Sequence, residues 1–292
     1  LVTGGAGFIG THLVQELRRL GMDIFVFDIK TDLTLDIRNL KKLEEVFKKF
    51  QPEFVFHLAA QAIVTSSYDN PREALETNVM GTVNVLEAVR SNSSVKGLIV
   101  ASSDKAYGKL ESGKYQETDA LRGDHPYDVS KSAADLISLA YYKTYGLPVV
   151  VTRFGNVYGE GDLHFDRIIP GICEAIIKKR PLEIRSNGKY VRDYLYVKDV
   201  VDGYLFLMKN FAKIKGEAFN FSSSETLSVL ELIKKTEEIL KVKILFKILN
   251  TAKNEIPYQH LDDSKIKKLG WKNKETLASS FKNIIDWYRE IC

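Results

Sequence analysis

The stretch Leu1-Val2-Thr3-Gly4-Gly5-Ala6-Gly7-Phe8-Ile9-Gly10 opens the chain with four glycines in ten residues. A short apolar run precedes them, and Phe8, Leu13, Leu17 and Leu20 follow at helical spacing. A strand that turns this sharply into a helix needs residues without side chains wherever its backbone must approach a ligand. The free N–H groups and the positive helix end then suit a pyrophosphate. Asp28 lies 18 positions beyond Gly10, at the end of a second apolar run. An Asp there accepts hydrogen bonds from adenosine ribose hydroxyls and repels a 2′-phosphate, which favours NAD over NADP. Lys30 weakens that preference slightly. An unliganded tight turn is the weaker reading, because strand, glycines, helix and acid occur together. Three residues are short for a buried first strand, so further residues upstream are expected.

Working outward, short apolar runs alternate with periodic segments. Ile24–Phe27, Phe54–His57, Leu98–Ala101 and Val149–Thr152 read as strands. Leu40, Leu43, Val46, Phe47 and Phe50 mark a helix, as do Leu75, Val79, Val83, Leu86 and Val89, and as does the segment 126–145. Continuous apolar strands between helices predict a parallel sheet covered on both faces. The fold expected is α/β, a Rossmann-type doubly wound parallel sheet over residues 1–155. A smaller mixed α/β region for substrate is expected over 156–292, with the chain crossing back. In that region Ile168–Lys179, Leu227–Leu240 and Thr276–Arg289 read as helices and Tyr190–Val197 as a strand.

The chain of 292 residues is 45% hydrophobic and 27% charged, so disorder is not expected. A net charge of +4 is too balanced for a nucleic-acid footprint. Two cysteines, Cys173 and Cys292, exclude a disulfide framework and a cysteine zinc site. His57, His125 and His164 lack metal spacing, and no metal is expected. With no apolar run near 18 residues and no targeting segment in view, a cytoplasmic protein is expected, with no membrane and no nucleic-acid partner.

Tyr127 and Lys131 are four apart on the 126–145 helix and so share a face. Tyrosine, with a reference pKa of about 10, is a poor base at neutral pH. An ammonium about 4 Å away at an effective dielectric near 20 is worth roughly 4 kcal/mol, or about 3 pKa units. The phenolate could then take a proton from a sugar hydroxyl while hydride leaves the same carbon.

At these residues the chain resembles the extended short-chain dehydrogenase/reductase family, and within it the nucleotide-sugar epimerases and dehydratases. The resemblance includes Leu35-Asp36-Ile37-Arg38, His57-Leu58-Ala59-Ala60-Gln61, Glu76-Thr77-Asn78-Val79-Met80-Gly81-Thr82, Arg153-Phe154-Gly155-Asn156-Val157-Tyr158-Gly159 and Tyr190-Val191-Arg192-Asp193-Tyr194. It implies that Gly4, Gly7, Phe8, Ile9, Gly10 and Asp28 bind NAD. It also implies that Asp36 and Ile37 cover the adenine, that Leu58, Ala59 and Ala60 line the cofactor, and that Asn156 and Arg192 hold the substrate diphosphate. Arg167 and His164 are further candidates for the nucleotide. Asn78 is expected to tether a bend, and His57 to pack under the cofactor. A homodimer built on helices 72–92 and 126–145 is implied as well, with Leu139, Tyr141 and Tyr142 as surplus apolar positions.

Ser103-Asp104-Lys105 is similar to the segment carried by the CDP-glucose 4,6-dehydratase branch, as is Asn254-Glu255-Ile256-Pro257-Tyr258-Gln259-His260-Leu261-Asp262. Dehydration across C5 and C6 needs two more titratable groups than epimerisation does. Oxidation at C4 acidifies the C5 proton, a base removes it, and an acid protonates the departing C6 hydroxyl. On this resemblance Tyr127 is the C4 base with Lys131 as partner, and Ser103 shares the proton network. Asp104 is then the acid, with a raised pKa, and Lys105 the C5 base, with a lowered one. A 4-epimerase of the UDP-glucose/galactose type is the alternative, and a dinucleotide-sensing protein without turnover the remote one.

Overall fold

The computed structural model describes residues 1–110, 112–252 and 254–292. In chain order the first half runs β1 (Val2–Thr3), α1 (Phe8–Arg19), β2 (Val26–Phe27), α2 (Leu40–Phe50), β3 (Phe54–His57), α3 (Val64–Asp69) and α4 (Pro71–Leu75). A π-helical turn (Glu76–Met80) joins α4 to α5 (Gly81–Arg90). After it come β4 (Gly97–Ser103), a 3₁₀ turn (Asp104–Tyr107), α6 (Pro126–Tyr145) and β5 (Val149–Phe154). The second half runs β6 (Asn156–Tyr158), α7 (Ile168–Ile177), β7 (Leu182–Ile184), β8 (Val191–Tyr196), α8 (Val197–Asn210), β9 (Ala218–Phe221), β10 (Thr226–Ser228), α9 (Val229–Leu240), β11 (Phe246–Ile248), α10 (Ser264–Lys268) and α11 (Leu277–Ile291).

Six strands form the main sheet in the order β2-β1-β3-β4-β5-β9, every neighbouring pair parallel. The order reverses between β1 and β3, and a crevice opens at the carboxyl ends of strands at such a switch point. Period-two alternation covers both faces. Leu98 and Val100 of β4 and Val149 and Val151 of β5 pack with α2 and α5, while Ile99 and Val150 pack with α1 and α8. This is the doubly wound sheet the sequence implies.

A second layer holds the sheet β10-β8-β6, with β8 antiparallel to β10 and parallel to β6, and a parallel pair, β11-β7. Its apolar core joins Tyr158, Tyr194 and Tyr196 to α7, α9 and α11.

Several elements differ from expectation. The helix marked by Leu75 to Val89 is α4, the π turn and α5 in succession. One extra residue in that turn puts Asn78 inside, where its amide holds Gln61: Asn78 Oδ1 accepts from Gln61 N at 2.8 Å, and Nδ2 donates to Gln61 O at 3.0 Å and Ser130 Oγ at 2.8 Å. This is the tethered bend expected of Asn78. The strand over Tyr190–Val197 stops at Tyr196, and α8 begins at once. Neither α8 nor β9 is evident in the sequence reading, although β9 returns to complete the main sheet.

Candidate active site

Main sheet and second layer face each other across a cavity of about 1510 Å³. One end is walled by Gly4, Gly7, Phe8, Ile9, Asp28, Asp36, Ile37 and Leu58–Ala60. Gly4 has φ +69°, a left-handed conformation that costs L side chains energy, and a Cβ there would stand 2.5 Å from Ala59 N. At Gly10 a Cβ would stand 2.1 Å from Gly4 O. So the turn after β1 closes against the loop after β3 because Gly4 is glycine, and α1 closes against the turn because Gly10 is. Gly10 is buried behind the turn and shapes it rather than lining the cavity. Asp28 follows β2, and its two oxygens accept from Ala6 N at 2.9 Å and Lys30 N at 2.8 Å. Each oxygen keeps a lone pair for a ribose hydroxyl, and the turn presents its remaining N–H groups to an anion. The residues therefore fit a dinucleotide.

His57 is not among the cavity walls. It lies in the core, its ring nitrogens 2.7 Å from Thr3 Oγ1 and 3.0 Å from Thr82 Oγ1, and burial lowers its pKa to about 3. It is a neutral strut between β1, β3 and α5.

Midway along the cavity, Ser103, Asp104, Lys105, Tyr127 and Lys131 all line the wall. The 3₁₀ turn that carries Asp104 and Lys105 is held from behind. Arg153 donates to Asp135 through Nε at 2.8 Å and Nη2 at 2.9 Å, and through Nη1 to the Tyr107 hydroxyl at 2.7 Å. That hydroxyl donates in turn to Asn220 Oδ1 of β9 at 2.7 Å. Ser103 caps the turn, accepting from Lys105 N at 3.2 Å and donating to Asp104 Oδ1 at 3.0 Å.

Burial dominates the electrostatics here. It raises the Asp104 pKa, an effect that Lys105, Ser103 and Arg192 oppose. It lowers the Lys105 pKa, and the Arg192 guanidinium adds to that while Asp104 opposes it. Both directions match those expected for an acid and a base, and the cation that assists burial at Lys105 is Arg192. Tyr127 departs from expectation. Burial pushes its phenol up to about 12, and the first opposing charge is Arg167, on the far side of the cavity. Lys131 donates to Ala101 O at 3.0 Å, and burial lowers it to about 8. The expected Coulomb gain ignored desolvation, which acts on both partners and prevails in the protein alone.

Asn156 and Arg192 face the same space from β6 and β8, and Arg167 borders it from the N-terminal side of α7. Asn156 Nδ2 and Ser102 Oγ are buried with no partner among the described residues. Donors left empty at a cavity wall suit a polar ligand. Arg192 pairs with neither Asp193 nor Asp199 but approaches Glu255 at 3.8 Å and donates to Val191 O at 2.8 Å. Arg167 donates to the buried Asp162 at 3.1 Å. The sequence reading assigns no role to Asp128, Glu255 or Gln259. Burial pushes Asp128, beside Tyr127, up to about 6. Gln259 accepts from Lys105 Nζ at 3.2 Å across 154 residues of chain. Nothing local in the sequence singles out Asp128 or announces the Gln259 contact.

A parallel sheet whose switch point carries this glycine turn, with a Tyr/Lys pair in the same cavity, defines a dinucleotide-dependent enzyme. The chain belongs to the NAD dependent epimerase/dehydratase family, whose sequence pattern matches residues 1–222, and its cofactor is NAD. It is 32% identical to the CDP-paratose 2-epimerase of Salmonella typhi, over 100% of this chain and 99% of that protein. It is 30% identical to the CDP-glucose 4,6-dehydratase of Salmonella typhimurium, over 99% of this chain and 89% of that protein. Among solved structures it is similar to the UDP-glucose 4-epimerase of Thermus thermophilus in complex with NAD, at 29% identity and TM-score 0.88, covering 100% of this chain and 99% of that one.

Proposed function

We propose that the protein is a nucleotide-sugar 4,6-dehydratase that converts an NDP-hexose to an NDP-4-keto-6-deoxyhexose. The observation that carries this reading is the pair Asp104 and Lys105: adjacent, on the cavity wall beside Tyr127, with pKa values driven in opposite directions by burial. Environments that separate the pKa values of neighbouring groups assign the acid and the base.

When bound, NAD would supply a hydride acceptor for C4 and, once reduced, a hydride donor for C6, and its oxidised positive ring would favour the phenolate. Tyr127 takes the O4 proton, with Ser103 sharing the network at that oxygen and Lys131 beside it. Lys105, as the amine, removes the C5 proton. Asp104, as the neutral acid, gives its proton to the C6 hydroxyl, which departs as water. Asn156, Arg167 and Arg192 would hold the diphosphate; a guanidinium fork matches phosphate oxygens. Gly4, Gly7, Phe8, Ile9, Asp28, Asp36, Ile37, Leu58, Ala59 and Ala60 would hold the cofactor, with Gly10 shaping the turn from behind. In this reading residues 1–155 serve NAD, and residues 156–292 mainly the nucleotide sugar.

We place the protein in the cytoplasm as a homodimer. No helix among the described residues is long and apolar enough to cross a membrane. Leu139, Tyr141 and Tyr142 pack partly on the protomer's own core, and the apolar residues α6 and the π turn leave outward are Val129, Leu136, Tyr145 and Met80. These would form the dimer contact, and a sedimentation mass of one chain at micromolar concentration would refute it.

Epimerisation is the second reading, favoured by the relatives named epimerases. A panel of CDP-, dTDP-, GDP- and UDP-hexoses in heavy water tests both, beginning with CDP because two relatives carry it in their names. A 4-keto-6-deoxy product with deuterium at C5 is expected. A sugar inverted at one carbon with no water lost would favour epimerisation.

A further inference from the structure

Lys105 has a single side-chain hydrogen-bond partner among the described residues, and it lies 154 positions away. Its Nζ donates to Gln259 Oε1 at 3.2 Å. Gln259 is fully buried, is not a cavity wall, and leaves its own Nε2 without a partner among the described residues. A buried amide N–H left without a partner is destabilising. The segment around it does not depend on this side chain. Its backbone is held by Gln259 N to Val191 O at 3.1 Å, Leu261 N to Asp193 Oδ2 at 2.8 Å, and Asp262 N to Tyr115 O at 2.9 Å. An amide is thus kept behind the lysine at a local energetic loss.

We propose that Gln259 is a positioning residue for Lys105: its carbonyl oxygen holds the amine by one N–H while leaving it free to be neutral, so that the lone pair can face the sugar. The inference rests on the reading of Lys105 as the C5 base. The chemistry of the partner matters. A carbonyl accepts an N–H from ammonium or amine alike, whereas a carboxylate would favour the ammonium. Burial disfavours the Lys105 ammonium, and charges of both signs act on it. Arg192 of β8 disfavours the ammonium, while Asp104 of its own turn, Asp128 of α6 and Glu255 of the C-terminal segment favour it. A further anion in direct contact would tip that balance.

The test compares Gln259→Met, Gln259→Glu and Lys105→Ala in the full chain with NAD and the donor that the panel identifies. Three quantities are read: kcat and KM against pH, deuterium wash-in at C5, and melting temperature. Gln259→Met keeps the shape, removes the acceptor and abolishes the orphan amide. It should lower kcat and C5 wash-in ten- to hundred-fold, leave KM within about twofold, and not lower the melting temperature. Gln259→Glu should move the acidic limb of the kcat profile up by about one pH unit or more. Wild-type kcat in Gln259→Met at every pH overturns the inference, as does a loss matched by a fall in melting temperature. Should Gln259→Met not fold, the Gln259→Glu profile decides, and an unmoved limb overturns the inference. Wild-type C5 wash-in by Lys105→Ala would instead remove Lys105 as base, a failure of the underlying reading that the Gln259 variants do not share.

Discussion

Asp28 and Asp104 are both buried carboxylates on the same cavity, and they are stabilised in different ways. Asp28 accepts one backbone N–H on each oxygen from within its own opening unit. Asp104 receives one hydroxyl, from its neighbour Ser103, and sits among Lys105, Arg192 and Asp193 with its pKa raised. At Asp104, desolvation that few hydrogen bonds offset favours the neutral acid. In the function proposed, the cofactor wall at Asp28 binds and the sugar wall at Asp104 moves protons.

Breaking the sugar wall should show the largest effects. Tyr127→Phe should lower turnover by about 10²–10⁴, the usual span for a general acid or base, with melting temperature held within a few degrees. Asp104→Asn should lose product formation over a similar range yet still reduce bound NAD in a single-turnover absorbance trace; loss of that trace too would place Asp104 in the first step. Removing one partner of a buried ion pair costs about 3–5 kcal/mol, so Asp135→Asn, which strands Arg153 behind the 3₁₀ turn, should shift the urea midpoint accordingly. Little shift would mean that the turn is held by Tyr107 and Asn220 alone.

The cofactor wall should respond in affinity and packing. Gly10→Ala puts a Cβ against Gly4 O and should cost about 1–3 kcal/mol of stability with weakened NAD binding by calorimetry. Unchanged binding would show that the turn can relax. The last effect is silent at neutral pH and concerns the strut below. His57 has a folded pKa of about 3 against 6.5 unfolded, so from pH 6.5 down towards 3 the unfolded chain takes up a proton the native one refuses. Stability should fall with acidification by up to about 1.4 kcal/mol per pH unit, and a His57→Gln variant should show a shallower fall over that window. Equal slopes would mean that His57 is accessible when folded.

The same contrast explains what the sequence made legible. The glycine turn, Asp28 and the Tyr127/Lys131 pair are local: their spacing carries their geometry, and the structure brings them to one cavity. Continuous apolar runs at β4 and β5 sufficed for the sheet. Four of the five strands of the second layer have only three residues, too few to stand out, and α8 follows β8 without a break. Arg192 as the cation on Lys105, Arg167 opposite Tyr127, and Gln259 behind Lys105 depend on that layer's docking. Desolvation of Tyr127 and Lys131 is likewise a property of the packed cavity and not of their spacing.

The most direct test of the dehydratase account is mass spectrometry and NMR of the sugar formed from CDP-, dTDP-, GDP- and UDP-hexoses with NAD in heavy water. The account predicts, from at least one donor, loss of one water and a single deuterium at C5. Turnover that keeps the water, or no turnover of any donor by a protein that binds NAD, would contradict it.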